Sequence, residues 1–598
     1  MNTEPLLYRL TPADPAGHCF LIQLRIAQPD ANGQAFSLPS WIPGSYLLRD
    51  FSRQIQDIRA SDEHNTPVAI IKAGTHSWQC APCTGALHIE YRVYAWDLSV
   101  RNAHFDETHA FFNGTSVFLY PHGQTDLPCL LEINPPPHTK KWKVFTSLPE
   151  ANPKQYALAA KRHGFGLYEA PDYDALIDHP VELGTPQVVS FQAHGAEHEM
   201  VFTGEISGLD MKRIAADAKK ICETQIALFE PETMAVPFLD SASRYVFMTM
   251  VTGNAYGGLE HRASTALMIS RNDLPVVSQS KAPEGYTTFL GLVSHEYFHT
   301  WNIKRIKPAA FAPYNLLQEN HTRLLWVAEG FTSYYDDLML LRSGTIDETQ
   351  YFSLLEKTIG LVMRSPGRHR QSIADSSYDA WTRFYKQDEE SPNAIVSYYS
   401  KGALAAWGLD LLLRRETMGS RSLDDVMRLL WQQYGKTFYA GVQKGIEEDA
   451  MASLIQQATG VDVSDYLSRY VYGCDDVPLA DLLADQGVTL ACEKSRALPS
   501  LDVRTKHSGD QLTLATVYKD GAGHLGGLSA GDILVAINGL RITDAASLDQ
   551  AMRLCRPGQS VPIHVFRRDE LRVFKVKVSP PPNDKWTLKR THDAVTGH

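Results

Sequence analysis

The sequence predicts a multidomain α+β protein, with a β-rich N-terminal domain, a mixed central domain that includes a helical lobe, and a small β-rich C-terminal domain. The chain has 598 residues, which is enough for about three to five domains of ordinary size. It is 44% hydrophobic and 21% charged, as expected of a globular protein. Short β-branched runs dominate both ends, and apolar residues at helical spacing dominate the middle.

The N-terminal domain is predicted over residues 1–178. Runs such as HCFLIQLRIAQ, ALHIEYRVYAW and KWKVFTSL alternate with turn clusters, which favours an antiparallel sheet structure. Two stretches, 38–55 and 94–120, are dense in aromatic residues. They are interpreted as core and inter-domain packing, or as a surface that approaches an active cleft.

Residues 179–345 are predicted as the central domain. A helix is expected over 210–230 with an Asp at its start, followed by a strand, a Gly-rich turn and a strand over 242–270. Helical patterns continue through 346–478, which we assign to a helical lobe. Short strands, a helix over 547–554 and a final hairpin predict a small domain at 479–582, and a polar tail is expected at 583–598.

Charge and composition exclude several functions. The net charge of −11 argues against binding to nucleic acid or to an anionic membrane. The start lacks the pattern of a signal peptide, and no stretch of about 18 apolar residues predicts a transmembrane helix, so a cytoplasmic location is expected. The eight Cys are scattered and read as thiols. Cys80 and Cys83 form one C-x-x-C, whose alternative interpretation is a redox or metal role.

The most informative motif is H-E-x-x-H at His295, Glu296 and His299. On a helix, residues four apart lie on one face, so both imidazoles can bind one metal ion. This spacing is typical of zinc peptidases, in which the Glu acts as general base on a water molecule. The alternative is a helix with two ordinary histidines.

A catalytic zinc site needs a third protein ligand. Glu329 is the lone acidic residue of the apolar run LLWVAEGF, where an unpaired carboxylate would be costly. His295, His299 and Glu329 are therefore predicted to bind one zinc ion per chain. Ser333, Asp336 and Asp337 are candidates for orienting a ligating imidazole, or belong to a solvated helix face.

Two further clusters have the residue types that peptide hydrolysis requires. In NAYGGLEHR, Gly257 and Gly258 allow close approach of a backbone, and Glu260 is placed to hold a substrate's α-amine. The alternative is an ordinary turn with a solvated Glu. In VSYYSKGALA, Tyr398 and Tyr399 are candidate donors to an oxyanion, or packing residues.

Taken together, these motifs resemble the thermolysin-like zinc aminopeptidases of the aminopeptidase N type (gluzincins), and more closely the glycyl aminopeptidase family. The segments that carry the resemblance are WIPGSYLLRDFSR, the run YAWDLSVRNAHFDETHAFFNGTS, HEYFHTWNIKRIKP and LLWVAEGFTSYYDD. The segment AGHLGGLSAGDILVAINGLRI resembles a PDZ domain. The resemblance implies a thermolysin-like catalytic domain with a helical lobe, followed by a PDZ domain.

For the site, the resemblance implies zinc on His295, His299 and Glu329, with Glu296 as base. It implies that Tyr399 donates to the oxyanion, and that Glu260 binds the α-amine beside Gly257, Gly258 and His261. His261 departs from the wider motif, which has Asn at that position. The implied substrates are peptides with a free N-terminus and a small first residue, Gly or Ala.

Three functional hypotheses follow. The leading one is a zinc aminopeptidase whose PDZ domain binds a peptide or a protein C-terminus. The second is an endopeptidase that uses the same zinc chemistry. The third is a peptide-binding scaffold with an inactive peptidase fold.

Overall fold

The computed structural model describes residues 4–137, 139 and 141–591, and the chain divides into two compact units. The first comprises Met1–Asn320, Tyr335–Ile346 and Met427–Glu447. The second comprises His321–Tyr334, Asp347–Val426 and Glu448–His598. The predicted multidomain α+β class is confirmed.

The described residues of the first unit form twenty strands. In chain order they are β1 Leu6–Asp14, β2 Cys19–Ile26, β3 Ala35–Ser37, β4 Ile55–Asp62, β5 Pro67–Val68, β6 Ile70–Lys72, β7 Ser77–Cys80, β8 Leu87–Tyr94, β9 Ala103–Phe105, β10 Ala110–Phe112, β11 Tyr120–Pro121, β12 Cys129–Ile133, β13 Lys143–Phe145, β14 Gly166–Ala170, β15 Val181–Gly184, β16 Gln187–Ala193, β17 Ala196–Thr203, β18 Arg244–Thr252, β19 Gly257–Glu260 and β20 Ser264–Ser270.

The described strands of the N-terminal β-rich region form three sheets. A seven-stranded sheet has the order β14-β12-β1-β2-β8-β4-β5, and two four-stranded sheets have the orders β13-β15-β10-β9 and β11-β3-β7-β6. Buried and partly exposed residues alternate along β1, β2 and β8, as the period of a strand with one covered face requires. The buried face supplies a core of aromatic and aliphatic side chains.

A five-stranded mixed sheet follows, in the order β16-β17-β18-β20-β19. The pairs β17/β18 and β18/β20 are parallel, and β19 pairs antiparallel with β20. Strand β19 therefore lies at an edge of this sheet. The range 242–270, predicted as a strand, a Gly-rich turn and a strand, contains three strands, because Gly257–Glu260 forms β19 between β18 and β20.

The H-E-x-x-H motif lies on α4 (Tyr286–Phe298), which packs against α3 (Met211–Phe229). The other helices of the first unit are α1 Gly114–Val117 and α2 Tyr173–Ile177, while α5 Phe331–Arg342 and α10 Leu423–Leu430 contain residues of both units. Asp210 caps α3 by accepting a hydrogen bond from the Arg213 N–H, as predicted. Gln225 of α3 donates to the Ser294 carbonyl of α4 at 2.8 Å. Because α4 is buried on nearly every side, it serves as a fixed support for the motif.

A buried arginine anchors the chain that follows α4. Arg305 is 1% exposed, and its guanidinium makes two hydrogen bonds to Asp240, at 2.9 and 2.6 Å. The same group donates to the Arg262 and Thr300 carbonyls at 3.1 and 2.8 Å. It thereby ties the end of the motif segment to the loop between β19 and β20.

The second unit contains a helical region and a small β-domain. Its helices are α6 Glu348–Arg364, α7 Ile373–Tyr378, α8 Ser391–Ala394, α9 Ser400–Glu416, α11 Met451–Thr459, α12 Ser464–Tyr470, α13 Leu479–Ala484, α14 Ala522–Leu525 and α15 Ala545–Arg553. Its strands are β21 Val488–Lys494, β22 Val503–Ser508, β23 Gln511–Val517, β24 Ile533–Ile537, β25 Leu540–Arg541, β26 Ser560–Arg567, β27 Glu570–Lys577 and β28 Asn583–Arg590. Strands β22 to β27 form one six-stranded sheet around its own apolar core.

The end of the chain differs from the prediction. Residues 583–590, assigned above to a polar tail, form β28, which pairs antiparallel with β21. The Leu588 N–H donates to Glu356 of α6 at 2.7 Å, and the Leu588 side chain is buried. Leu588 is the one buried residue of β28, so few apolar residues mark this strand in the sequence. Residues 592–598 of the predicted tail lie outside the described residues.

Within the described part of the chain, no helix combines the length and the apolar character needed to cross a bilayer. All eight cysteines are free thiols, including Cys80 and Cys83. Burial raises the pKa of the Cys80 thiol to about 12, which disfavours the thiolate that redox or metal chemistry needs.

We predict that Asp240→Ala lowers the stability of the first unit. The substitution leaves the buried Arg305 charge without its carboxylate, which costs about 3 kcal/mol, the lower end of the range because Asp240 itself is partly exposed. The expected fall in melting temperature, measured by calorimetry, is roughly 5 °C. Glu232→Ala, which removes an exposed carboxylate from a nearby loop, is the control. Equal melting temperatures for the two variants would contradict this role of the Arg305 contact.

Candidate metal centre and active site

The two histidines of the motif face each other across a gap that suits a metal ion. His295 lies in the last turn of α4, and His299 follows at its end with helical backbone angles. Their Nε2 atoms are 3.1 Å apart, and the ring planes are 88° to each other. The two imidazoles, four residues apart in sequence, therefore converge as predicted.

The opposite ring nitrogens are held by hydrogen bonds. Nδ1 of His295 lies 2.8 Å from Oδ2 of Asp336, and Nδ1 of His299 lies 2.8 Å from the Asn302 carbonyl oxygen. Because a carbonyl oxygen can only accept, Nδ1 of His299 carries the proton and its Nε2 presents a lone pair. A carboxylate behind a ligating imidazole is the usual arrangement in zinc sites.

This pair passes a simple test of fit. Two nitrogens bound to one zinc ion at 2.0–2.1 Å with tetrahedral angles stand roughly 3.4 Å apart. The observed 3.1 Å is close to that spacing. Asp336, one of the three candidates for orienting an imidazole, lies within hydrogen-bond distance of His295.

The Glu296 carboxylate lies directly against strand β19. A Cβ atom on Gly258 would stand 2.0 Å from Oε1 of Glu296, so any larger residue at this position would displace the Glu296 carboxylate. The side chain is buried, and carboxylate and imidazole atoms of Glu260, Glu296 and His299 lie within 4.8 Å of one another. The structure thus brings the predicted base and the predicted amine-binding residue together.

A loop of the N-terminal region packs against the Glu260 carboxylate. It is buried at the end of β19. Gly44 of the WIPGSY segment has a φ of +92°, and a Cβ atom there would stand 2.5 Å from Oε2 of Glu260. Gly44 is a site residue that the sequence analysis missed, although its Pro-Gly turn lies in one of the aromatic stretches noted above.

His261 is buried in a network of charges behind Glu260. Its Nδ1 lies 3.1 Å from Asp178, which also accepts a hydrogen bond from Lys304 at 2.9 Å. Although burial by itself raises the Asp178 pKa, Lys304, His261 and Arg262 hold it well below its usual range. The described contacts of the His261 ring are therefore to this network.

In the second unit, Glu329 is 2% exposed and lies in a π-helical turn, Trp326–Gly330. Such turns occur frequently at functional sites. A Cβ atom on Gly330 would stand 2.8 Å from the Gly402 backbone, so the segments LLWVAEGF and VSYYSKGALA pack together. This contact brings the start of α9 close to the turn that carries Glu329.

The two adjacent tyrosines differ in accessibility. Tyr398 is 0% exposed, and burial raises its pKa well above the usual value. Tyr399 is partly exposed, and its hydroxyl lies 3.4 Å from that of Tyr385. Tyr385 was not identified from the sequence, because FYKQDEE contains no motif or periodic pattern that marks it.

Comparison with known proteins agrees with these motifs. Residues 7–185 match the model of the peptidase M61 N-terminal domain, residues 288–405 match M61 glycyl aminopeptidase, and residues 499–578 match a PDZ domain. A solved structure of an aminopeptidase N family protein from Idiomarina loihiensis is 41% identical, with a TM-score of 0.92 and 98% of each chain covered.

An M1 zinc metallopeptidase from Deinococcus radiodurans is 11% identical, with a TM-score of 0.46, and the match covers 80% of this chain and 95% of that one. A search of curated proteins gives no match.

We predict that Asp336→Ala weakens zinc binding. The loss of the carboxylate frees the His295 ring to rotate, and removal of such a partner typically costs 10- to 100-fold in metal affinity, that is about 1.4 to 2.7 kcal/mol. Zinc affinity is measured by competition with a chromogenic chelator. Asp217→Ala is the matched control, because Asp217 also accepts a hydrogen bond on α4, from Tyr286 at 3.1 Å. Equal zinc affinity in both variants would exclude the positioning role of Asp336.

Proposed function

Because the chain belongs to the M61 glycyl aminopeptidase family and is a metallo-aminopeptidase, we propose that it releases small N-terminal residues, Gly or Ala, from peptides. The observation that carries the proposal is the approach of Glu260 to Glu296 and His299. This proximity supports a role for Glu260 in holding the substrate α-amine at a short, fixed distance from Glu296 and His299.

In this proposal His295, His299 and Glu329 hold one zinc ion. The two convergent Nε2 atoms of the first unit and the buried Glu329 carboxylate of the second supply the ligand types of the His₂Glu set found in catalytic zinc sites. When bound, zinc makes water more acidic and polarises the substrate carbonyl. Asp336 keeps the His295 ring in place by its hydrogen bond at Nδ1.

Glu296 is proposed as the general base. Its carboxylate accepts a proton from the attacking water and transfers it to the nitrogen of the departing peptide. The buried position against Gly258 supports this role, because a carboxylate with little freedom is already oriented for the transfer.

Glu260 is proposed to bind the substrate α-amine by a charge-assisted hydrogen bond. Strand β19 is an edge strand, so a peptide can pair with the backbone of Gly257 and Gly258. His261, whose ring belongs to the charged network behind Glu260, is the remaining residue of the proposed substrate-binding set.

Tyr399 is proposed as the donor to the oxyanion. Its partial exposure supports this choice over Tyr398, whose ring is fully buried. The hydroxyl of Tyr385, 3.4 Å away, can orient that of Tyr399.

The PDZ domain is proposed to bind an extended peptide or a protein C-terminus at a sheet edge. The eight free thiols favour a reducing compartment, and we propose a cytoplasmic location on that ground. Neither nucleic acid nor membrane is a proposed partner.

We predict that Glu260→Gln selectively impairs hydrolysis of substrates with a free α-amine. Loss of the charge-assisted contact should lower kcat/KM for alanyl and glycyl fluorogenic substrates about 10- to 100-fold, while zinc content stays at the wild-type level. The panel includes the same substrates with an acetylated N-terminus, each with and without a chelator.

The outcome separates the alternatives. Wild-type turnover of the acetylated substrates alone would favour the endopeptidase. If zinc-loaded wild type turns over neither class, the scaffold hypothesis replaces the proposed function.

A second prediction concerns the backbone beneath the base. Gly258→Ala places a methyl group on the Glu296 carboxylate and displaces it, and a misplacement of this size can cost about 100-fold in kcat. Gly253→Ala is the matched control, because a Cβ atom at Gly253 meets open space. Equal kcat values for the two variants, measured on an alanyl substrate, would contradict the positioning of Glu296 by β19.

A further inference from the structure

Strand β19 presents three features in a fixed order. Glu260 lies at one end, Gly258 with the Glu296 carboxylate lies two residues before it, and Gly257 lies at the other end. At that other end the strand meets Arg101, whose Nη1 is 3.8 Å from the position that a Cβ atom on Gly257 would occupy. One short strand thus connects a buried anion, the proposed base and a cation.

Arg101 has no counterion within the described part of the chain. Its main-chain N–H donates to the Ser99 hydroxyl at 3.3 Å. The Nε atom of its guanidinium is buried and makes no hydrogen bond to any described residue. Buried polar nitrogens are nearly always paired in native proteins. An arginine in this condition beside an edge strand points to a group that binds there.

The surroundings of Arg101 remain accessible. Tyr256, which precedes Gly257, is 60% exposed, and Leu98 on the Arg101 loop is 45% exposed. Strand β19 has one sheet neighbour among the described strands, β20. A peptide that pairs with its free edge lies in the plane of the sheet, where groups from both faces can reach it.

We propose that Arg101 binds the C-terminal carboxylate of short peptides, and so selects substrates of about three residues. This inference rests on the proposed aminopeptidase function and on Glu260 as the amine-binding residue. Gly257 and Glu260 are three positions apart, which corresponds to about 10 Å along a strand. An extended tripeptide spans about the same length. Its two charged ends would meet Glu260 and Arg101 together.

The chemistry suits a carboxylate better than a backbone carbonyl. A guanidinium presents parallel N–H groups that match the two oxygens of a carboxylate. Peptides that continue past the third residue, or that end in an amide, lose this charge-assisted pair. Arg101 is therefore a specificity-determining residue, and Glu296 remains the proposed base.

The test compares Gly-Gly-Gly with its C-terminal amide, by release of glycine from the zinc-loaded protein. For the wild type we expect kcat/KM for the free acid to exceed that for the amide by about 10- to 100-fold. Arg101→Gln should remove this preference by lowering only the value for the acid, mainly through KM. Arg92→Gln, which changes a partly exposed arginine on β8, is the matched control and should keep the preference. In a series from Gly-Gly to pentaglycine, the wild type should be most active on the tripeptide.

Equal activity of the wild type on acid and amide overturns the inference, as does an equal loss on both substrates in Arg101→Gln. Arg101→Lys keeps the charge and should retain a preference for the acid, so a folding defect in the Gln variant does not remove the test. If the zinc-loaded wild type releases glycine from neither peptide, the proposed function fails instead.

Discussion

The site depends on the close approach of a helix carboxylate to an edge strand that has no side chain at the point of contact. Because Gly258 leaves room for Glu296, α4 and β19 can lie near enough for Glu260 to reach the same space as Glu296 and His299. The buried surface of α4 and the hydrogen bonds that Arg305 makes hold the helix at this distance from β19. In the proposed function, substrate length is measured along the strand, and Glu296 and the two histidines are presented by the helix.

The N-terminal region takes part in this arrangement. Gly44 closes over the Glu260 carboxylate, and Arg101 reaches the opposite end of β19. The two aromatic stretches of the sequence each contribute one of these residues, and both were interpreted either as packing or as a surface near a cleft. Most aromatic residues of the two stretches are buried, and their loops place Gly44 beside Glu260 and Arg101 beside Gly257. A region that looks like a separate β-domain in sequence therefore contributes to the proposed substrate site.

Local pattern was sufficient for the parts of the site that lie close together in sequence. The four-residue spacing of His295 and His299, the Asp210 cap and the strands β18 and β20 follow from short-range periodicity. The Gly-rich stretch between these two strands was predicted as a turn and contains β19. Asp336, Gly44 and Arg101 act on residues that are distant in sequence, and only the tertiary contact shows which of several candidates is used. Strand β28 was missed because an edge strand with one covered face has few apolar residues to mark it.

The Glu260 carboxylate is proposed to bind an amine although it is buried, and its burial has a cost in free energy. Removing a charge from water costs several kcal/mol unless other charges compensate. Lys304 interacts with both Asp178 and Glu260, while Arg262 stacks on the Tyr439 ring at 3.6 Å. Lys307, buried among aromatic rings, has its pKa lowered to about 7 by burial and by the neighbouring Lys304. Arg262 donates a hydrogen bond to Asp174 at 2.6 Å, and Lys304 donates one to Asp178 at 2.9 Å, so each of these cations has a carboxylate partner. The attraction between Lys304 and Glu260 offsets part of the cost of burying the Glu260 carboxylate, and the ammonium of the proposed substrate would supply a second opposite charge.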